Sequence, residues 1–360
     1  GWRIFERGGV RVAVIGAEAQ YLKQWLWGQD LEAYDVSSAM SLLDRVIGEV
    51  LRARPHVVVL ALHQGGLIRD PRDINEVHDI AWRYGGDIDL ILGGHTHRTI
   101  AGEQLGRRTW YVQAGAHASH VAVVDVTVDT EAREIRNIRS RLVAADGSVA
   151  VDVEAEACVR PWLERAGAYG AEVIARLKHP VRSWGTPAET SRTAEVLCRA
   201  LAAASGADAV LHGRLSLKSL GEGRVTESDL FELVPYENSI AVARVTPAEL
   251  ETIVEEQWLS RESSAYCGLW GAHSLVDDGD VVELAFPEKT VIGEDGRVLL
   301  ALNSYTAAGG GGRFPSLRRI LRQPEAQLRD TGIWARDAVR QYLQDHAEER
   351  IRATRWTKKK

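Results

Sequence analysis

Along the first 150 positions the apolar residues fall into short runs of β-branched and aliphatic side chains, each stopped by Gly, Pro or a polar residue. VRVAVIGA (Val10–Ala17) and HVVVLAL (56–62) predict strands. Between them, SSAMSLLDRVIGEVLRAR has the repeat of an amphipathic helix behind a serine cap. Strand, helix, strand in succession predicts a sheet buried on both faces. DIDLILGG adds a further short buried strand, and TWYVQAG followed by HVAVVDVTVD alternates like two paired antiparallel strands. Loops at the ends of such strands are where sites tend to be built.

From residue 151 the pattern changes. VEAEACVRPWLERAGAYGAEVIARL predicts a long helix despite Pro161, and its alanines and charges suit a connector, so the domain boundary is placed here. Residues 1–150 then form one domain, 151–182 a connecting helix and 183–360 a second domain. Within the last, SRTAEVLCRALAAASG predicts a helix, ADAVLHG a strand, TESDLFELV a short capped helix and SIAVARVT a strand. TPAELETIVEEQWL predicts a helix capped by Thr246 with Pro247 at its first position. The expected class is mixed α/β.

Composition narrows this picture. A chain of 360 residues fits two ordinary domains, and 45% hydrophobic with 26% charged residues is typical of a globular protein. No run approaches the roughly 18 apolar residues of a membrane span. With 44 Lys+Arg against 50 Asp+Glu the net charge is −6, and basic residues do not cluster with aromatics, which excludes a charge-driven nucleic-acid binder. Cys158, Cys198 and Cys267 lie far apart, without the spacing of a disulfide framework or a zinc knuckle. VRVAVIGAEAQ lacks the G-x-G-x-x-G of a dinucleotide-binding turn.

Three histidines stand where apolar strands have just ended: His63 in LALHQGG, and His95 and His97 in ILGGHTHR. Neutral imidazole is a common ligand for zinc, manganese or iron, and neighbouring glycines let the backbone come close to an ion. The three together predict part of a metal shell. The other histidines, His117 and His120 included, read as ordinary hydrogen-bonded side chains.

LALHQGG, DIDLILGGHTHR and YVQAGAHASHVAVVDVTVD, in that order, resemble the later half of a calcineurin-like metallophosphoesterase domain. VPYEN and SYTAAGGGG resemble the C-terminal domain of the 5′-nucleotidase family, which includes 2′,3′-cyclic-nucleotide phosphodiesterases. The resemblance implies a partial metallophosphoesterase β-sandwich flanked by helices, followed by a mixed α/β substrate-binding domain. It implies hydrolysis of nucleotide phosphate esters by two divalent metal ions, with His63 and His95 on one ion and His97 on the other. Histidine at 97, where many 5′-nucleotidases have an amide, looks more like the cyclic-phosphodiesterase branch. The family's Asp-x-His, Gly-Asp and Gly-Asn-His-Asp/Glu motifs are not in the sequence, so the catalytic residues are expected upstream of residue 1, and this chain is expected to bind at most one ion weakly. A non-catalytic nucleotide-binding module is the alternative.

The resemblance also assigns a substrate set. Tyr236 and Tyr305 match the two aromatics that sandwich the base, Arg192 an arginine directed at the substrate, and Lys218 a position where another arginine commonly sits. Lysine there is a point charge and not a bidentate fork, so its grip should be looser. Two departures follow: the family's Gly-Gly-Asp-Gly is here four glycines, Gly309 to Gly312, and its Asn-Gly-Gly run is here His212, Gly213, Arg214. The expected partner is a small nucleotide-like ester. Location in the family is often periplasmic or extracellular.

Overall fold

The strand–helix–strand opening is present. The computed structural model describes residues 1–22, 34–66, 75–184, 191–262, 266–277, 280–288, 290, 292–293, 295–354 and 357–359. β1 (Trp2–Arg7) pairs antiparallel with β2 (Val10–Ala17), and β3 (Val57–Leu62) lies parallel to β2 with Val12 opposite Val57. Between them runs α1 (Ala39–Arg52), started by Ser38, whose Oγ accepts the Ser41 N–H at 3.1 Å. After α2 (Val77–Arg83) come β4 (Leu90–Gly93), parallel to β3, then β5 (Thr99–Leu105) and β6 (Thr109–Ala114). The six-stranded sheet has the order β1-β2-β3-β4-β6-β5.

The run VVVLAL is apolar throughout because both faces of β3 are covered. Val58, Leu60 and Leu62 pack in one cluster with Leu43 and Val50 of α1 and Ile80 of α2. Val57 and Val59 pack on the other side with Ala122, Val124, Val126 and Ile135 of the ribbon β7 (His120–Asp129) and β8 (Glu134–Ala144). This corrects one expected pairing. TWYVQAG and HVAVVDVTVD share no ladder: β6 lies between β4 and β5, whereas β7 pairs with β8 alone. Alternation in β7 records one face laid against the sheet, not the identity of its hydrogen-bonding partner.

The described residues divide into two compact units, the first ending at Asp152 and the second starting at Val153. The second opens with α3 (Val153–Gly170), which has no buried residue. The helix expected to continue through Leu177 stops at Gly170. Val173–Leu177 is instead β9, antiparallel to β11 (Gly223–Thr226). A β-branched pair, Val173 and Ile174, with a neighbouring strand available outweighs the helical preference of the alanines around it.

A five-stranded sheet, ordered β13-β10-β16-β12-β17, centres the unit. Its members are β10 (Ala209–Leu211), β12 (Ser239–Val245), β13 (Leu269–Trp270), β16 (Val298–Asn303) and β17 (Arg329–Trp334). A three-stranded sheet of β14 (His273–Asp277), β15 (Asp280–Ala285) and β18 (Thr357–Lys359) accompanies it. α4 (Arg192–Ser205), α5 (Glu227–Leu233), α6 (Pro247–Trp258), α7 (Ser304–Ala307), α8 (Pro315–Leu321) and α9 (Ala335–Asp345) complete it. Thr246 and Glu249 form a reciprocal capping box on α6, with Pro247 in its first turn, as the sequence signals predict. No helix among the described residues is long and apolar enough to cross a membrane.

Candidate functional site

In the first unit, His63 directly follows β3, and His95 follows β4 after a single glycine. The two strands are parallel neighbours with Ala61 opposite Leu92, so their carboxyl-end loops lie side by side. The His63 and His95 rings meet edge to face, with centroids 5.5 Å apart. Gly94 leaves them room, since a Cβ there would lie 3.3 Å from His63 Nδ1. His97 is placed against a different partner, His117, at 5.8 Å. His117 follows β6, the other neighbour of β4, and the two loops are joined where Gly115 N–H donates to Arg98 O at 3.0 Å. The site therefore holds two histidine pairs, and His117, read from sequence as an ordinary side chain, belongs to it. Its signal was its place in a loop after a strand of the same sheet.

The backbone here is strained. His95, His97, His117 and Ala118 have φ of 65°, 58°, 55° and 54°. A non-glycine residue in the left-handed region costs on the order of 1 kcal/mol, and such residues concentrate at functional sites.

What holds these loops is a buried polar network. Gln64, fully buried, exchanges two hydrogen bonds with Glu76: the Glu76 N–H donates to Gln64 Oε1 at 2.6 Å, and Gln64 Nε2 donates to Glu76 Oε2 at 3.0 Å. The same carboxylate accepts from the N–H groups of Ala39 (2.9 Å) and Met40 (3.3 Å) at the start of α1. Gly66 N–H donates to Tyr111 Oη at 2.8 Å, and Tyr111 in turn donates to Gln113 Oε1 at 2.7 Å. Burial pushes the Tyr111 phenol up, which keeps it a donor. Thr96 Oγ1 reaches the same Gln113 oxygen at 3.0 Å. A Cβ on Gly65 would lie 2.2 Å from Thr96 Cγ2. Gly65→Ala is accordingly expected to cost roughly 1–3 kcal/mol through overpacking, read as a lower urea midpoint for the first unit. An unchanged midpoint would show that the His63 and His95 loops are not interlocked.

Among the described residues no group of three or more His, Cys, Asp or Glu side chains is placed to hold a metal ion. Each pair supplies two imidazoles and no carboxylate, and two dications held close together need anionic ligands to offset their repulsion. The described residues do not fit a two-ion centre by themselves. His63 and His95 are brought together as one pair, and His97 is paired with His117.

In the second unit, Arg192 is the first residue of α4, behind Ser191, whose Oγ accepts the Ala194 N–H at 3.1 Å. It is half-buried and has no ion pair among the described residues. Lys218 differs: its Nζ lies 2.8 Å from Asp229 Oδ1 and 3.0 Å from Glu232 Oε2, and the bond to Asp229 above all raises its pKa. An ammonium held by two carboxylates is a poor grip for a substrate anion, contrary to the role the resemblance implies. Tyr236 is 54% exposed. Tyr305 is half-buried on α7, whose N-cap Asn303 accepts the Thr306 N–H at 2.8 Å. Gly311 leaves the Tyr305 hydroxyl its space, because a Cβ there would lie 2.6 Å from it. His212, expected to alter polar contacts to a ligand, is 2% exposed, with Nδ1 turned to Gly213 O. It faces the interior instead.

Residues 173–319 match the model of the 5′-nucleotidase C-terminal domain. The chain is similar to the endonuclease YhcR of Bacillus subtilis (strain 168), 20% identical over 323 residues that cover 88% of this chain but only 26% of that protein. It is also similar to the protein UshA of Yersinia enterocolitica, 20% identical over 388 residues, covering 96% of this chain and 69% of that one. In fold it is similar to a Staphylococcus aureus protein assigned as a 5′-nucleotidase and solved with alpha-ketoglutarate, with a TM-score of 0.79 at 19% identity over 100% of this chain and 74% of the other. Residues 173–319 are thus a 5′-nucleotidase C-terminal domain, set in a chain whose fold is similar to that of the Staphylococcus aureus protein.

Proposed function

We propose that this chain serves metal-dependent hydrolysis of nucleotide phosphate esters, of the 5′-nucleotidase or 2′,3′-cyclic-nucleotide phosphodiesterase type. The observation that carries this reading is a 5′-nucleotidase C-terminal match in a chain whose other unit sets two histidine pairs at the carboxyl ends of neighbouring strands. In this reading the first unit is the later part of a metallophosphoesterase domain, with His63 and His95 serving one divalent ion and His97 another. The second unit holds the nucleotide: Tyr236 and Tyr305 offer ring faces to the base, and Arg192 offers a guanidinium to the anionic end. Lys218, engaged by Asp229 and Glu232, contributes less. Because the described donors are imidazoles without a grouped carboxylate, by themselves they hold at most one ion weakly and support slow turnover.

The same observation favours a second reading, a nucleotide-binding module without catalysis. Metal analysis and a panel of nucleoside monophosphates, 2′,3′-cyclic nucleotides and a chromogenic phosphate ester, run on this polypeptide with manganese or zinc, separate the two. Slow metal-dependent hydrolysis that disappears in His63→Ala and His95→Ala supports the enzyme. Nucleotide binding that is weakened about tenfold or more in Tyr236→Ala and Tyr305→Ala, without turnover in any metal, supports the module. Absence of both overturns both, and tight binding of two ions by this polypeptide would overturn the account of its donor set.

A further inference from the structure

The loop after Tyr305 carries a positive charge that no carboxylate among the described residues answers. Gly309, Gly310, Gly311 and Gly312 all sit at positive φ (102°, 57°, 68° and 81°), a run that only glycine adopts without strain. The chain turns back tightly, so that Gly310 N–H donates to Tyr305 O at 3.0 Å and Phe314 N–H to Gly309 O at 3.1 Å. Side chains are shut out of the turn. A Cβ on Gly310 would lie 2.5 Å from Phe314 Cδ2, and one on Gly311 2.6 Å from Tyr305 Oη. An acidic residue cannot be presented from either position with both rings where they are.

Arg313 is presented instead. Its Nε donates to Gly310 O at 2.7 Å and one terminal nitrogen to Tyr305 Oη at 3.4 Å. Its guanidinium carbon lies 5.8 Å from the Tyr305 ring centroid and 5.6 Å from that of Phe314. Two ring contacts and a backbone carbonyl aim the group while leaving donors over. Among the described residues no backbone or side-chain acceptor takes the N–H groups of Gly311, Gly312 or Arg313. Unpaired amides, a guanidinium and an aromatic face together make a site for an anion attached to a planar group.

We propose that this loop is an anion subsite, and that the ligand lying on Tyr305 carries a second anionic group, held by Arg313, in addition to the phosphoryl group of the ester. This rests on the nucleotide reading of the second unit and narrows it: nucleoside bisphosphates, or phosphate esters with a carboxylate at the sugar or base end, are preferred to nucleoside monophosphates. Isothermal titration of the whole chain without added metal compares nucleoside 5′-monophosphates with the 3′,5′- and 2′,5′-bisphosphates, each with adenine, guanine and uracil bases. A carboxylate-bearing nucleotide such as orotidine 5′-phosphate set against uridine 5′-phosphate separates carboxylate from phosphate as the second anion. At least one doubly anionic ligand is expected to bind on the order of tenfold tighter than its monophosphate, with the difference shrinking as salt rises. Arg313→Gln is expected to reduce that ratio to within about threefold, and Arg313→Lys to keep part of it. The thermal midpoint of each variant checks that the loop's host domain remains folded. Equal binding of both ligand classes by the unaltered chain, or a ratio that survives Arg313→Gln, overturns the subsite and leaves the nucleotide reading standing. If no nucleotide of either class binds, the nucleotide reading itself fails and the subsite with it.

Discussion

Glu76→Ala is expected to destabilise the first unit by about 3–5 kcal/mol, the range found when one partner is removed from a buried charged or strongly hydrogen-bonded group. The size follows from what the carboxylate leaves behind. Gln64 Nε2 loses its acceptor in a side chain with no exposed surface, and the N–H groups of Ala39 and Met40 lose the acceptor that satisfies the first turn of α1. A buried donor left without a partner costs roughly 1–3 kcal/mol. The effect should also reach the histidine rim, because Gln64 lies between His63 and Gly65 and its carbonyl accepts the Gly94 N–H at 3.0 Å. Urea unfolding followed by tryptophan fluorescence measures the loss, and broadened imidazole resonances of His63 and His95 report the loosened loops. Glu76→Gln, which retains the shape and one acceptor oxygen, should cost distinctly less. A loss under about 1 kcal/mol in Glu76→Ala would mean that water replaces the carboxylate and that the network does not support the rim.

The contrast between these residues shows what a linear sequence can and cannot carry. β3 was legible because a strand covered on both faces must be apolar at every position, and α1 and α6 because Ser38, Thr246 and Pro247 act within one turn of their own helix. His63 and His95 were legible because each follows the end of an apolar run. The partnership of Gln64 with Glu76 was not, since it forms across 12 residues only after α2 and the β3 loop are in place. His117 needed the order β4-β6, which no local pattern encodes. Lys218 read as a substrate cation because Asp229 and Glu232, which neutralise it, lie on α5 and approach it only in the fold. Val173–Leu177 reads in sequence as part of the preceding helix because strand formation there depends on β11, about 50 residues on. Local physics names the elements and the strand ends; charge neutralisation, pairing partners and second supports are tertiary facts.

His212 supplies the other large effect, a loss of stability in mild acid. The imidazole sits at the end of β10, 2% exposed, with Nδ1 turned to Gly213 O and Nε2 buried with no hydrogen-bond partner among the described residues, while the Cys198 thiol donates to the His212 carbonyl at 3.4 Å. Burial pushes its pKa down to about 4, from 6.5 in an unperturbed histidine. Above pH 6.5 the ring is neutral in both the folded and the unfolded chain and adds no pH dependence. As pH falls from 6.5 towards 4 the unfolded chain takes up a proton that the folded chain refuses, so stability drops; below about 4 both forms are protonated and the loss levels off. The difference between the two values corresponds to at most about 3 kcal/mol. His212→Asn, which cannot titrate, is expected to flatten this part of the profile. It will also change stability at neutral pH by altering the packing around the ring, so the informative quantity is the slope and not the absolute value. Urea midpoints measured from pH 8 to pH 4 for both proteins provide it, since the carboxylates elsewhere contribute equally to each. Parallel profiles would show that the ring reaches solvent or finds a proton acceptor in the folded protein, and would remove His212 as the cause of acid sensitivity.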